Sequence, residues 1–120
     1  KVNSAWKEVM IACANRQDTW ITDEIFQVYT SLHNSGLAHS VEAYYEDRLA
    51  GGLYGVSLGG AFMGESMFHH VTASSKVPLL FLVPRQFLTD HLSTFGAIEI
   101  SHQNYVARLN QALTLDCKFD

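Results

Sequence analysis

Side chains that bind metals or act as nucleophiles are present in this chain, but their spacing matches no known kind of site. The six histidines show no ligand spacing, and the adjacent His69 and His70 would point to opposite faces of a strand. Ser66 lies outside a G-x-S-x-G motif, and the segment SLGGAFMG is not followed by G-K-S/T. We therefore expect neither a metal site, nor a cofactor, nor a serine nucleophile.

The most unusual stretch is GGLYGVSLGGAFMGESMF at residues 51–68, which contains six of the eight glycines. Its other residues are of the type that forms strands, and glycine weakens a strand interior. Gly59 and Gly60 suit a two-residue hairpin turn, and that turn fixes the register of the strands on either side. One face of the resulting ribbon is then an ordinary core face, made of Tyr54, Val56, Leu58, Ala61 and Met63.

The other face of this ribbon is predicted to contain a hollow. The same register places Gly55 opposite Gly64 and Leu53 opposite Ser66. Leu53 and Phe62 would then wall a small apolar pocket with hydroxyl groups at its rim. Replacing Gly55 with valine should block this pocket with little change in fold. The alternative is that the glycines admit a crossing helix or form bulges, and the pattern alone leaves both interpretations open.

Glu65 is the acidic residue of this stretch. Taken by itself, a carboxylate in an apolar strand is a candidate for a structural ion pair with Lys76 or Arg85, because a buried carboxylate needs a partner.

Length, charge and composition limit the possible classes of protein. A chain of 120 residues is long enough for one domain, 1–120, with a modest core. The formal net charge of −4 does not favour a nucleic-acid binder, which usually has a basic surface. No apolar run is long enough to span a bilayer. Cys13 and Cys117 are far apart in sequence and are expected to be ordinary thiols.

The spacing of apolar residues predicts helices, hairpins and then further helices. A first helix spans residues 4–16 with Ser4 as its cap, and its apolar stripe is formed by Trp6, Val9, Met10 and Cys13. A second helix starts at Thr22 and ends at Gly36, and its stripe is formed by Ile25, Val28, Tyr29 and Leu32. A strand, a polar turn near Asp47 and a second strand follow, and the Gly59–Gly60 turn leads into a third strand. After these come a helix at 74–83, a helix at 88–95, a strand at 97–100 and a last helix capped by Ser101.

Several motifs resemble the C-terminal catalytic domain of leucyl/phenylalanyl-tRNA–protein transferases. They are TWIT (19–22), HSVEAYYEDRLAGGLYGVSLG (39–59), GESMF (64–68), SSK (74–76) and FLTDHLSTFGAIEI (87–100). The resemblance covers nearly the whole chain in order. It implies a GNAT-like α/β (α+β) fold, with a mixed sheet of antiparallel hairpins flanked by helices.

The resemblance also implies an activity, its partners and its location. The family moves leucine or phenylalanine, with methionine as a further candidate, from aminoacyl-tRNA onto proteins that begin with Arg or Lys. This marks those proteins for degradation by the N-degron route in the bacterial cytoplasm. Because an aminoacyl ester is already activated, amide formation needs positioning, proton removal and charge stabilisation, but no metal.

Roles for single residues follow from the same resemblance. It places Glu65 and Gln86 at the reaction centre and Trp20 near the adenosine end of the tRNA. The pocket for the transferred side chain would be formed by Leu53, Gly55, Phe62 and Gly64, with Ser66 beside Glu65.

The chain departs from the family pattern in three ways. The segment around 77–86 is shortened, and Pro84 stands where the family has the aspartate that partners Gln86. The family's separate N-terminal domain is absent from this sequence. The alternative function is therefore that of a catalytically weakened or inactive relative that binds an N-terminal or hydrophobic residue.

Overall fold

A computed structural model describes residues 1–17, 19–71 and 100–117. This part of the chain contains three helices and three strands, which confirms an α+β fold. In chain order they are α1 (Trp6–Ala14), α2 (Asp23–Asn34), β1 (Ala38–Tyr45), β2 (Arg48–Leu58), β3 (Ala61–His69) and α3 (His102–Leu113). The elements predicted at 74–83, 88–95 and 97–100 lie outside the described residues, apart from Ile100. None of the described helices is long and apolar enough to cross a bilayer.

Helices α2 and α3 begin at the predicted caps. The Thr22 hydroxyl accepts a hydrogen bond from the backbone N–H of Ile25, and the Ser101 hydroxyl accepts one from Asn104, both at 3.3 Å. Gly36 follows α2 with a φ of 73°, the left-handed conformation that commonly ends a helix. The second helix and the last helix of the sequence prediction are therefore confirmed at these ends.

Helix α1 begins differently from the prediction, because Glu42 of β1 serves its N-terminus. The N-cap residue is Ala5, whose backbone N–H donates to the Glu42 carboxylate at 3.3 Å. Ser4 does not cap the helix: its hydroxyl donates to the other Glu42 oxygen at 2.8 Å. The Ser40 hydroxyl supplies a third donor at 2.6 Å. A carboxylate from the sheet thus replaces a local cap, and it also suits the positive end of the helix dipole.

The three strands form one antiparallel sheet in the order β1–β2–β3. Glu46 and Asp47 form the first turn and Gly59 and Gly60 the second, as predicted. From the second turn outward, the pairing follows the predicted register as far as Gly55 opposite Gly64.

Beyond this pair the predicted register is wrong, because β3 contains a bulge at Glu65. Tyr54 lies opposite Ser66, and Leu53 lies opposite Met67 rather than Ser66. One extra residue on β3 therefore faces β2, which moves every later side chain of β3 to the other face. Bulge formation was one of the two alternatives left open for the glycines.

The core lies between the sheet and helices α1 and α2. The predicted stripe of α1 is confirmed, since Trp6, Val9, Met10 and Cys13 are all buried. Tyr54 of the predicted core face is fully buried against them, together with Ile21, Ala38 and Phe68.

Gly52 shows why a glycine is needed beneath a crossing helix. A Cβ atom at this position would lie 2.9 Å from the Phe68 ring and 3.1 Å from Val9 of α1. On α2, Ile25, Tyr29 and Leu32 pack against the core, but Val28 is 57% exposed, so its predicted place in the buried stripe is wrong.

Candidate functional site

The predicted site residues lie in two groups on the β2–β3 ribbon. Trp20, Glu65 and Ser66 belong to the side that carries α1 and α2. Leu53, Gly55, Phe62 and Gly64 belong to the opposite side, because they occupy the alternate positions of the two strands. The bulge moved Ser66 from the second group to the first. Gln86 lies outside the described residues.

The space above Gly55 is filled in this structure. A Cβ atom there would collide with the Met63 carbonyl oxygen and would lie 2.5 Å from the end of the Phe62 ring. The predicted open hollow at Gly55 is therefore wrong, since the Phe62 ring occupies it. The expectation that valine at Gly55 leaves the fold little changed is also wrong, because the Met63 carbonyl oxygen can move away only if the backbone of β3 moves. The assignment of Leu53, Gly55, Phe62 and Gly64 to substrate binding stays a prediction.

Glu65 lies at the bulge, on the helix side of the sheet and near two tyrosines. Burial, the charge of Glu65 and a hydrogen bond with its carboxylate, in that order, raise the pKa of Tyr29 to about 12. Burial is also the main reason that the pKa of Tyr54 is raised, with Cys13, Tyr29 and Glu65 adding to it. Glu65 therefore shares one polar cluster with residues from α1, α2 and β2.

A row of aromatic rings connects this cluster with the surface. The Tyr29 ring meets Tyr54 edge-on at a centroid distance of 5.2 Å and meets Trp20 in the same way at 6.2 Å. Tyr54 is fully buried, whereas Trp20 is 47% exposed. An exposed tryptophan at the end of such a row offers a flat face for stacking.

Arg16, two residues after the end of α1, holds the strand that carries Glu65. Its guanidinium donates to the Ser66 hydroxyl at 3.2 Å and to the Met67 carbonyl oxygen. Burial raises the pKa of the nearby Cys13 thiol to about 11, against smaller opposing effects of Ser66 and Arg16. Cys13 is thus a protonated core thiol, and the exposed Cys117 is also free.

Glu65 has no cationic partner in the described part of the chain: no lysine or arginine there forms an ion pair with it. Lys76 and Arg85, the partners of the structural alternative, lie outside the described residues. A half-buried carboxylate with spare acceptor capacity can bind an ammonium group or take up a proton from an amine. In the ranges 1–17, 19–71 and 100–117, no three histidine, cysteine or acidic residues cluster as metal ligands.

Sequence reasoning missed Tyr29 and Arg16 as residues close to this part of β3. The pattern of α2 placed Tyr29 only in an apolar stripe, and the uninterrupted register placed Ser66 away from Arg16. One signal was available, since glycines inside a strand often mark a bulge, and bulges frequently lie beside active sites.

Comparison with known proteins identifies the relatives of this chain. The family model for leucyl/phenylalanyl-tRNA protein transferase matches residues 1–110. A leucyl/phenylalanyl-tRNA–protein transferase of Rubrobacter xylanophilus is 47% identical over 131 aligned residues, which cover 99% of this chain and 69% of the relative. Those of Phenylobacterium zucineum and Gloeobacter violaceus are 46% and 45% identical, each over 99% of this chain.

The chain spans only part of the length of these relatives, 61% in Phenylobacterium and 67% in Gloeobacter. The Rubrobacter alignment runs over 131 positions against 120 residues here, so the relative has additional residues inside the aligned region. The shortening predicted around 77–86 lies outside the described residues and stays a prediction.

Proposed function

The chain belongs to the leucyl/phenylalanyl-tRNA–protein transferase family, a family of aminoacyltransferases, and from this membership we propose that it transfers an amino acid from tRNA to a protein. The proposed donors are tRNAs charged with leucine or phenylalanine, with methionine as a further candidate. The proposed acceptors are proteins with an N-terminal arginine or lysine. The role in N-degron degradation in the cytoplasm is part of the same proposal.

The reaction is the conversion of an ester into an amide. The α-amino nitrogen of the acceptor attacks the carbonyl carbon of the aminoacyl ester, and a C–N bond forms. The ester C–O bond breaks, and the terminal ribose of the tRNA leaves with its hydroxyl oxygen. The proton lost by the amine ends on that oxygen, so the step needs no external co-reactant.

Glu65 is proposed to receive or steady the proton of the attacking amine. The single observation that carries this role is a half-buried carboxylate on the helix side of the sheet, with no ion-pair partner among the described residues. A carboxylate in this state has acceptor capacity to spare for an amine. Gln86 is proposed as the second group near the amine, on the resemblance alone.

The remaining site residues are proposed to hold the donor. Trp20 offers an exposed ring to the terminal adenosine, and Phe62 is proposed as a wall of the pocket for the transferred side chain with Leu53. Gly55 lets the Phe62 ring lie close to the sheet, and Gly64 is the residue paired with it. Ser66 is held by Arg16 next to Glu65.

A second candidate function is binding without transfer. Pro84, at the position where the family resemblance expects an aspartate, favours it, because proline offers Gln86 no carboxylate partner. Such a relative would keep the pocket and bind an N-terminal or hydrophobic residue.

A transfer assay tests the proposal. The chain is incubated with tRNA charged with radiolabelled leucine, phenylalanine or methionine and with two peptides that differ only in an N-terminal arginine or alanine. We expect label in the arginine peptide alone. No transfer, combined with binding of a non-hydrolysable phenylalanyl-adenosine analogue, would instead support the binding function.

A further inference from the structure

The strand β3 is interrupted where it carries Glu65. Its pairing with β2 changes register at this residue, because Gly64 lies opposite Gly55 whereas Ser66 lies opposite Tyr54. The extra residue of a bulge has no partner of its own in the neighbouring strand, so the ladder restrains it less than a regular strand residue. Contacts from outside the ladder therefore contribute more to the position of Glu65 than they would in a regular strand.

Arg16 makes such contacts with the two residues that follow the bulge. One nitrogen of its guanidinium, Nη2, donates to the Ser66 hydroxyl at 3.2 Å and to the carbonyl oxygen of Met67. These acceptors are a side chain and a backbone group of consecutive residues, 50 and 51 positions further along the chain. Because a charged donor forms stronger hydrogen bonds than a neutral one, the two bonds hold β3 directly after Glu65.

The segment that carries Arg16 starts from a fixed point. The backbone N–H of Asn15 donates to the Ile11 carbonyl at 3.0 Å, and that of Arg16 donates to the Ala14 carbonyl at 2.9 Å. Both residues thus continue from the last turn of α1, which is itself anchored in the core by the buried Cys13. The positive charge of Arg16 also suits the negative end of the helix dipole.

We propose that Arg16 is a positioning residue, which ties the end of α1 to β3 directly after the bulge and so sets the place of Glu65. It acts through Ser66 and Met67. The catalytic consequence rests on the function proposed above, whereas the contact with β3 does not. Arg16 is exposed, and the rival role of an exposed arginine is to bind a tRNA phosphate, which would be visible in the KM for aminoacyl-tRNA.

Two matched variants test the catalytic part. Arg16→Leu removes the guanidinium, and Arg48→Leu removes the same charge from an exposed position at the start of β2. We expect Arg16→Leu to lower kcat about 10–100-fold with little change in the KM for aminoacyl-tRNA, because a small displacement of a reacting group is costly. Arg48→Leu should transfer like the parent. Arg16→Lys should keep most of the parent's kcat, because an ammonium group can also donate two hydrogen bonds.

The double variant tests how Arg16 acts. If it works through the position of Glu65, Arg16→Leu should lower the kcat of Glu65→Gln far less than that of the parent. Losses that multiply in the double variant would show that Arg16 acts independently of Glu65, and they would overturn the positioning role.

A second measurement tests the contact without any transfer activity. The chain has three methionines, Met10, Met63 and Met67, so labelling the methionine carbonyl carbons with ¹³C gives three signals. The Met67 signal is assigned from its loss in Met67→Leu. Arg16→Leu should shift this signal more than those of Met10 and Met63, and Arg48→Leu should shift none of them. Should Arg16→Leu fail to fold, Arg16→Lys gives the same comparison, because the exchange of the donor still changes the Met67 signal most.

The possible results separate the two proposals. A parent that transfers nothing, with the expected Met67 shift present, contradicts the proposed function and leaves the contact standing. An unchanged Met67 signal overturns the contact, and a kcat for Arg16→Leu equal to that of the parent overturns the positioning role. A loss confined to KM overturns that role too, because it would place Arg16 in tRNA binding.

Discussion

The two hairpins share β2, and each carries one carboxylate on its outer strand, Glu42 on β1 and Glu65 on β3. Glu42 is 3% exposed and accepts hydrogen bonds from two serine hydroxyls and a backbone N–H. Glu65 is half-buried, and among the described residues no lysine or arginine forms an ion pair with it. A carboxylate whose oxygens already accept hydrogen bonds from other parts of the chain stabilises the fold. In the function proposed above, the carboxylate with spare acceptor capacity is the one that meets the substrate.

Of the predicted changes, the substitution Glu65→Gln should have the largest effect, which is a loss of transfer activity. Glutamine keeps the size and hydrogen bonding of the side chain but loses its charge and basicity. Since general-base help is typically worth about 10²–10⁴-fold, we expect turnover to fall by that range. Binding of the phenylalanyl-adenosine analogue and the melting temperature should change little, because no described cation would be left unpaired.

The matched control is Glu42→Gln, which removes the same charge from the other hairpin. Transfer per folded molecule should then stay at the parent level. If Glu65→Gln transfers as fast as the parent, the proposed difference between a structural Glu42 and a catalytic Glu65 is contradicted. It is contradicted also if Glu65→Gln melts far earlier, because Glu65 would then be the structural ion-pair partner that its sequence position allowed.

The substitution Gly55→Ala tests whether the close approach of β3 at Gly55 contributes to the stability of the second hairpin. Its Cβ would meet the Met63 carbonyl and the Phe62 ring, and the backbone must move to make room. Overpacking of this kind costs about 3 kcal/mol or more, which for a domain of this size lowers the melting temperature by about 10 °C. Thermal unfolding followed by circular dichroism measures the effect.

Gly52→Ala is the control in the same strand, where the closest neighbours are the Phe68 ring at 2.9 Å, the end of Val9 at 3.1 Å and the Val41 carbonyl oxygen at 3.2 Å. All three are farther away than the Met63 carbonyl oxygen is at Gly55, so the loss of stability should be smaller. Equal losses at the two positions would show that the close approach of β3 at Gly55 has no special role.

Glu42→Gln should destabilise the first hairpin by about 2 kcal/mol, as expected for hydrogen bonds to a charged group that also serves a helix N-terminus. The amide would turn one NH₂ group toward hydroxyl and N–H donors that need an acceptor. Urea unfolding measures the loss, and a midpoint equal to that of the parent would contradict the structural role. Ser4→Ala, which removes only the exposed donor, should cost less.

The sequence predicted what depends on local chemistry and missed what depends on contacts between elements. Gly59 and Gly60 specify a turn, and the turn specifies the register as far as Gly55. The position of the bulge at Glu65 could not be predicted, because the alternation of apolar and polar residues does not show where a strand contains an extra residue. The cap of α1 was missed for a related reason: its acceptor comes from Glu42, 37 residues away from Ala5.

The same division applies to the candidate site. The glycines were recognised as unusual, and both alternatives named for them occur: a crossing helix at Gly52 and a bulge next to Gly64. Tyr29 and Arg16 were not found, because only the packing of α1 and α2 on the sheet brings them close to the part of β3 that carries Glu65. Motif resemblance supplied Glu65 itself, and three-dimensional contact supplied what surrounds it.

The smallest predicted effect concerns the turns of the two hairpins. Gly59 has a φ of 55° without strain, whereas the first turn places Glu46 at 49° and Asp47 at 58° in the left-handed region. Two positive φ values in a two-residue loop are typical of a type I′ turn, for which Asn-Gly is the favoured pair. Replacing Glu46 and Asp47 together with Asn-Gly should therefore stabilise the chain by about 1 kcal/mol, which raises the melting temperature by about 4 °C.

The substitution Gly36→Ala measures the same kind of backbone strain, because it introduces a non-glycine residue at a positive φ instead of removing one. Gly36 has a φ of 73°, and nothing lies within 4 Å of the position that its Cβ would take, so only backbone strain changes. We expect a loss of about 1 kcal/mol, similar in size to the gain at Glu46 and Asp47. If Asn-Gly brings no gain although Gly36→Ala brings the loss, then Glu46 and Asp47 have contacts that offset their strain. The two hairpins would then differ in how they stabilise their turns as well as in their carboxylates.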